Sequence, residues 1–288
     1  EITNSIDHLD ILLTPIGEEQ SEIYNYVIDK LKINKKSAEE SKNGLQFAVV
    51  DAPLQILNFA YPHPDFNDGN TVIKHKSLYG KEGLERVMSF KNKNKNNKRK
   101  ENYKYEPEIL KQFGRIFSPN EIGKYSGKIK KIMDTIKNSK GIVLIYSQFI
   151  DGGCVPLALA LEEMGITRYH KNKSLFKNKP TEDVDAITLE PYGETKENIK
   201  FFPAKYAMIT GDSFLSPNNK SELKACTDSE NINGEIVKVI IISKAGSEGL
   251  DFKNIRQVHI LEPWYNFMRT SQTIGRAIRN LSHCDLPY

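Results

Sequence analysis

Ile236-Val237-Lys238-Val239-Ile240-Ile241-Ile242, followed at once by Ser243-Lys244-Ala245-Gly246-Ser247-Glu248-Gly249-Leu250-Asp251, is the stretch that decides the fold. Its first seven residues hold the strongest β signal in the chain, since every position but Lys238 is β-branched. A glycine-bearing loop directly after such a strand is where an open α/β sheet gathers its ligands, beyond the carboxyl ends of its strands. Gly246 and Gly249 let the backbone approach a ligand closely. Ser243 and Ser247 offer hydroxyls, Lys244 a charge, and Asp251 a carboxylate able to accept from ribose hydroxyls. A plain strand-to-helix turn would use glycine in the same way, so this loop does not settle the matter alone.

Working outward, the same alternation of strand and helix begins near Tyr125. Ile129, Ile132, Met133 and Ile136 share one face of a helix expected over 128–136, and Gly141 stops it. Ile142-Val143-Leu144-Ile145-Tyr146 is an unbroken apolar run, as in a strand covered on both faces of a parallel sheet. Residues 155–164 read as a helix with Gly165 at its C-cap. Further strands are expected at 206–210 and 258–261. Together these predict an open, mostly parallel α/β sheet. The polar, proline-dotted stretch 171–204 is too long for an ordinary connection and reads as an insertion.

Ahead of this lies a mixed, largely helical region, 1–90. Ile23, Tyr24, Val27, Ile28 and Leu31 mark an amphipathic helix over 21–33. Leu54, Ile56, Leu57 and Phe59 follow Pro53, and Tyr61-Pro62-His63-Pro64 ends that element. Between the two regions, 91–104 is a basic, low-complexity linker: Lys91, Lys93, Lys95, Lys98, Arg99 and Lys100 stand in ten residues without an acid. It reads first as a solvated, disordered loop; a basic arm for nucleic-acid phosphates is the sharper reading, second to it and compatible with it.

The chain has 288 residues, 39% hydrophobic and 27% charged, with a net charge of +4, which is ordinary globular composition. No apolar run approaches the ~20 residues that span a bilayer, so no membrane partner is expected. Cys154, Cys226 and Cys284 are widely spaced and include no CxxC pair, which indicates neither a zinc ribbon nor a disulfide framework. A reducing, intracellular setting follows, and no metal site is expected. His283 beside Cys284 lacks a second ligand pair. The start, Glu1-Ile2-Thr3-Asn4, is what a fragment of a longer polypeptide would show.

Near the end stands Gln272-Thr273-Ile274-Gly275-Arg276-Ala277-Ile278-Arg279. Arginines at i and i+3 share a face if this is the start of a helix, so both guanidinium groups would reach one anion. A permanently charged planar fork of donors suits a transferring phosphate. Trp264 and Tyr265 would either stack on bases or pack against the last helix.

With both stretches in view, residues from about 140 to 288 resemble the second RecA-like domain of a superfamily 2 helicase or translocase. Gln272, Gly275, Arg276 and Arg279 match the QxxGRxxR form of motif VI, and Ser243 to Asp251 match motif V. The resemblance implies that Ser243, with Lys244 and Gly246 beside it, meets a nucleic-acid phosphate. It places Gly249 and Asp251 at the ribose of ATP, with Gln272 and Gly275 also on the ATP side. Arg276 and Arg279 would be the catalytic pair at the γ-phosphate. Tyr146-Ser147-Gln148-Phe149 is similar to motif IV and Ile209-Thr210-Gly211-Asp212 to motif IVa, which adds Ser147 and Gly211 to the nucleic-acid side. The string from Glu248 to Asn266, with Ile274 to Asn280 and Ser282-His283, resembles helicase-like and early-transcription-factor ATPases of large nucleocytoplasmic DNA viruses. A viral setting would put the protein in the host cytoplasm or the virion, among the viral transcription machinery.

The phosphate loop GxxxxGK(S/T) and an acidic DExx strand are absent, and Ser126-Gly127-Lys128-Ile129 is no substitute. ATP and Mg²⁺ would therefore be bound mainly by a missing N-terminal RecA-like domain, and this piece alone would be inactive. The alternative is a non-catalytic nucleic-acid-binding or scaffold subunit of a viral transcription complex. A dinucleotide enzyme is disfavoured because no GxGxxG follows a strand.

Overall fold

In the computed structural model, residues 13–38, 48–68, 72–91, 101–169, 174–193, 200–213, 215–246, 249–262, 267–279 and 282–286 are described. The chain opens with helices α1 (Glu18–Ala38) and α2 (Ala48–Asn58), a 3-10 turn (His75–Leu78) and α3 (Gly80–Val87). A hairpin of β1 (Met88–Lys91) and β2 (Glu101–Tyr105) follows, then α4 (Pro107–Phe113), α5 (Ile122–Tyr125) and α6 (Gly127–Lys137). The alternating half comprises β3 (Ile142–Ser147), a π-turn (Ile150–Cys154), α7 (Val155–Glu163), β4 (Thr167–Arg168), β5 (Lys205–Ile209), α8 (Asn219–Cys226), β6 (Val239–Ser243), β7 (Ile255–Ile260) and α9 (Phe267–Ile274).

The last five strands form one parallel sheet in the order β4-β5-β6-β3-β7. This is the open, parallel α/β sheet the sequence predicts. The apolar runs explain it: β3 and β6 are buried at every position, so both faces must be covered. On one face Val143, Ile145, Val239 and Ile241 pack with α7 and the aromatic group Phe59, Tyr61, Phe117 and Tyr125. On the other, Leu144, Tyr146, Ile240 and Ile242 meet Phe252 and Ala277. Because β3 and β6 pair Ser147 with Ser243, they end level with one another and place their loops side by side.

The structure redraws some boundaries. The strand expected from Ile236, β6, starts at Val239, because the Asn231 side chain accepts from the amides of Ile236 and Val237 at 2.9 Å each and folds that approach into a turn. Of the stretch read as an insertion, the described residues Leu175, Phe176, Val184 and Ala186 lie in the main core. Glu162 holds residues 174–176 there, accepting from the amides of Leu175 at 2.7 Å and Phe176 at 3.0 Å, from Tyr206 Oη at 2.8 Å and from Ser174 Oγ. The flanks of the basic tract pair with each other as β1 and β2, so the chain enters and leaves it at one place. Residues 92–100 themselves lie outside the described residues. The core also runs across the tract, joining Phe59, Val87 and Met88 to Val143 and Leu157. Among the described residues no helix is long and apolar enough to cross a membrane.

Candidate functional site

Phe252 and Arg276 are joined main chain to main chain: the Phe252 amide donates to the Arg276 carbonyl at 3.1 Å. The Asn254 amide donates to the Ser282 carbonyl at 2.8 Å. His283 adds a third staple through Nε2, which donates to the Ile255 carbonyl at 2.8 Å, while Nδ1 lies 2.8 Å from Ser282 Oγ. The loop leading into β7 and the turn after α9 are thereby fastened along their length. This explains His283 without a metal.

The arginines are not on a helix. α9 ends at Ile274, and Arg276 and Ala277 turn back through 3.1 and 2.9 Å bonds to Thr273 and Ile274. Gly275 weakens the helix at that point, and the Phe252 contact draws the Arg276 carbonyl toward the loop. Both guanidinium groups nevertheless reach the same loop. Half-buried Arg276 donates through Nη1 to the Leu250 carbonyl at 3.5 Å. Arg279 forms an ion pair with Asp251, Nε–Oδ1 at 2.8 Å, with one hydrogen bond from Nη1 to Oδ2 at 3.0 Å, and both side chains are about half exposed. Gly249 stands two residues away with φ +71°, and among the described residues no atom lies within 4 Å of where its Cβ would be. Gly249, Asp251, Gly275, Arg276 and Arg279 are thus brought together, and Gln272 is exposed on α9 next to them.

The residues expected at nucleic acid divide. Gly246 is held close to the β5 loop, since a Cβ there would lie 2.1 Å from the Ile209 carbonyl oxygen, and one on Gly211 would lie 2.8 Å from Ala245 Cβ. Lys244 and Gly211 are exposed at that junction. Ser243 is 2% exposed, and its Oγ accepts from the Gly246 amide at 3.2 Å, capping its own turn. Ser147 corrects the expectation outright. It is fully buried and donates to Glu262 Oε1 at 2.6 Å, so its hydroxyl faces inward rather than toward a bound strand. Trp264, Tyr265, Ser247 and Glu248 lie outside the described residues.

Sequence reasoning missed the group around Glu262. Its carboxylate is 3% exposed and accepts from Ser147 Oγ, the Gln148 amide at 2.9 Å and the Asn58 amide. Burial pushes its pKa up, and these bonds partly offset the rise. The signal available was an acid ending an apolar strand at the sheet's ligand side. Nothing in the sequence pointed to Asn58, which lies 204 positions away. Ser126-Gly127-Lys128 also finds its use here. Ser126 caps α6, accepting from Ile129 at 3.0 Å, and Lys128 Nζ donates to the Leu261 carbonyl at 2.7 Å. Beside this group a small cleft of about 240 Å³ is lined by Tyr146, Gln148, Ile260, Glu262, Arg269, Thr270 and Thr273.

Residues 185–281 match the helicase conserved C-terminal domain, beginning inside the stretch read as an insertion. The chain is 35% identical over 170 residues to a termination factor NPH-I homolog of African swine fever virus, covering 56% of this chain and 24% of that protein. A putative ATP-dependent RNA helicase of Acanthamoeba polyphaga mimivirus is 34% identical over 168 residues, covering 58% and 24%. A putative helicase of Invertebrate iridescent virus 3 is 25% identical over 272 residues, covering 90% and 24%. The chain therefore spans about a quarter of the length of the curated relatives it matches. A crystal structure of the C-terminal part of an ATPase domain covers 96% of this chain and 81% of its own, with 12% identity and a TM-score of 0.47. Residues 185–281 are thus similar to the helicase conserved C-terminal domain, and the chain is similar to viral termination factors and helicases.

Proposed function

We propose that this chain is the C-terminal half of an ATP-dependent nucleic-acid helicase or translocase, acting in viral transcription or genome processing within the infected cell. The observation that carries the reading is the fastening of Gly249–Asp251 to the turn bearing Arg276 and Arg279. Those residues fit a nucleotide. Two guanidinium groups donate to phosphate oxygens, Asp251 accepts from ribose hydroxyls, and Gly249, without a side chain, admits the ligand's close approach. They do not fit Mg²⁺, since among the described residues no group of three or more His, Cys, Asp or Glu could hold a metal ion. An N-terminal RecA-like domain would hold the metal and the phosphate chain, and ATP supplies the energy of strand movement when bound between the two. Asp251 holds Arg279 in a paired position until a phosphate competes for its fork. Exposed pairs of this kind are worth only about 0–1 kcal/mol, so the exchange is cheap. Lys244 and the junction of Gly211 with Gly246 form the nucleic-acid side, while Ser147 and Ser243 shape their turns.

The test is nucleic-acid-stimulated ATPase activity of the full-length protein. Arg279→Ala is expected to lower turnover by about 10³–10⁵, the range for an arginine acting on a transferring phosphoryl group. Nucleic-acid binding should be largely retained. Near-normal turnover in that variant would refute the assignment.

A further inference from the structure

Glu262 joins three parts of the chain that are remote in sequence. Its oxygens take Ser147 and Gln148 from the loop after β3 and Asn58 from the end of α2. Lys128, in the first turn of α6, bridges to the same group through the Leu261 carbonyl at 2.7 Å and Asn58 Oδ1 at 3.2 Å. Ser126 completes it by donating to the Asn58 carbonyl. The packing leaves no slack: a Cβ on Gly153 would lie 2.0 Å from Ser147 Oγ and 3.3 Å from Glu262 Oε1. Burying an acid and an amine is seldom the most stable way to fill a core, and the best-attested use of such groups is to fix one geometry. Here the geometry fixed is the end of β7, just ahead of α9 and the turn of Arg276 and Arg279.

We infer that Glu262 is a positioning residue: held by Asn58 and Lys128, it sets where α9 and the turn of Arg276 and Arg279 sit relative to β3. The inference rests on the reading of those arginines as phosphate ligands. It gives the N-terminal region, through Asn58, a part in that site.

Asn58→Asp places a second carboxylate against Glu262, and Glu262→Gln removes the charge the donors converge on. In the full-length protein each single change is expected to lower nucleic-acid-stimulated kcat about tenfold, with KM for ATP little altered. The exchange Asn58→Asp with Glu262→Gln puts one acid and one amide back across the contact, with Lys128 still beside the acid. It should return kcat to within about threefold of the wild type. Asn58→Ser withdraws the amide without adding charge and replaces Asn58→Asp if that variant does not fold. A second readout needs no ATP. Trp264, the one tryptophan of the 288-residue chain, follows Glu262 by two positions. Its near-ultraviolet circular dichroism and emission should change in each single variant and revert in the exchange. Singles that match the wild type in both readouts, or an exchange no better than the worse single, would overturn the proposal. A reverting Trp264 signal in a full-length protein without stimulated ATPase activity would uphold the positioning role and overturn the ATP reading instead.

Discussion

Lys238 shows at the scale of one residue how burial and charge are reconciled. It is fully buried where the chain enters β6, its Nζ donates to the Ser139 carbonyl at 3.1 Å, and burial lowers its pKa to about 8. The folded chain therefore gives up this proton before the unfolded chain does. Between about 8 and the ordinary lysine value the unfolded state binds more protons, so stability rises with pH across that window. Urea unfolding measured from neutral pH into that window should show this rise, and Lys238→Met should make it shallower. An unchanged slope in the variant would refute the assignment. Residues of the candidate site differ in how legible they were. Arg276, Arg279, Gly249 and Asp251 stood out because spacing and charge type identify them one by one. Ser147 was misread because its own sequence neighbours carry no sign of Glu262, 115 positions away.

Among the elements, α7 depends most on tertiary partners. Val155 to Leu161 are all fully buried, and even Glu162 and Glu163 are at most 7% exposed. Arg115 pairs with Glu163 at 2.9 Å, while Glu162 takes four donors from the 174–176 segment and β5. Burial raises both carboxyl groups, and the hydrogen bonds work against that rise. Glu162→Ala leaves several buried donors without an acceptor, each costing about 1–3 kcal/mol. A loss of at least ~3 kcal/mol in denaturant unfolding is expected, with new protease cleavage in residues 174–193. A stable, uncleaved variant would contradict this role. The sequence marked α7 as a helix by its length and its glycine stop, and Gly165 does take φ +90° there. It could not show that residues 174–176 fold onto α7, because the contact is made by one buried acid, Glu162, whose partners follow no periodic pattern. The edge strand β4 is two residues long, too short for any periodicity.

For the molecule as a whole, the continuous core matters more than the change of composition along the chain. Phe59, Tyr61, Tyr103, Phe117 and Tyr125 pack in one cluster with the sheet and α7. Phe59 alone has ring centroids of Tyr61 at 4.7 Å and Phe117 at 4.9 Å. Elements sharing a core this closely should unfold together. Equilibrium denaturation followed by tyrosine absorbance and by far-ultraviolet circular dichroism should give one coincident transition. Two separated transitions would instead support independent bodies on either side of the basic tract.

By itself the sequence determined the parallel α/β sheet, the glycine-bearing loop after its central strand, and the arginine and glycine–aspartate motifs that resemble those of helicases. Each of these is written in local pattern: β-branched runs, glycine after a strand, charge at fixed spacing. Only the tertiary structure decided that the arginines sit on a turn past the helix, that Asp251 grips Arg279, and that Asn58 reaches Glu262. Those outcomes depend on contacts between segments far apart in the chain, and their geometry is set by how the whole core closes.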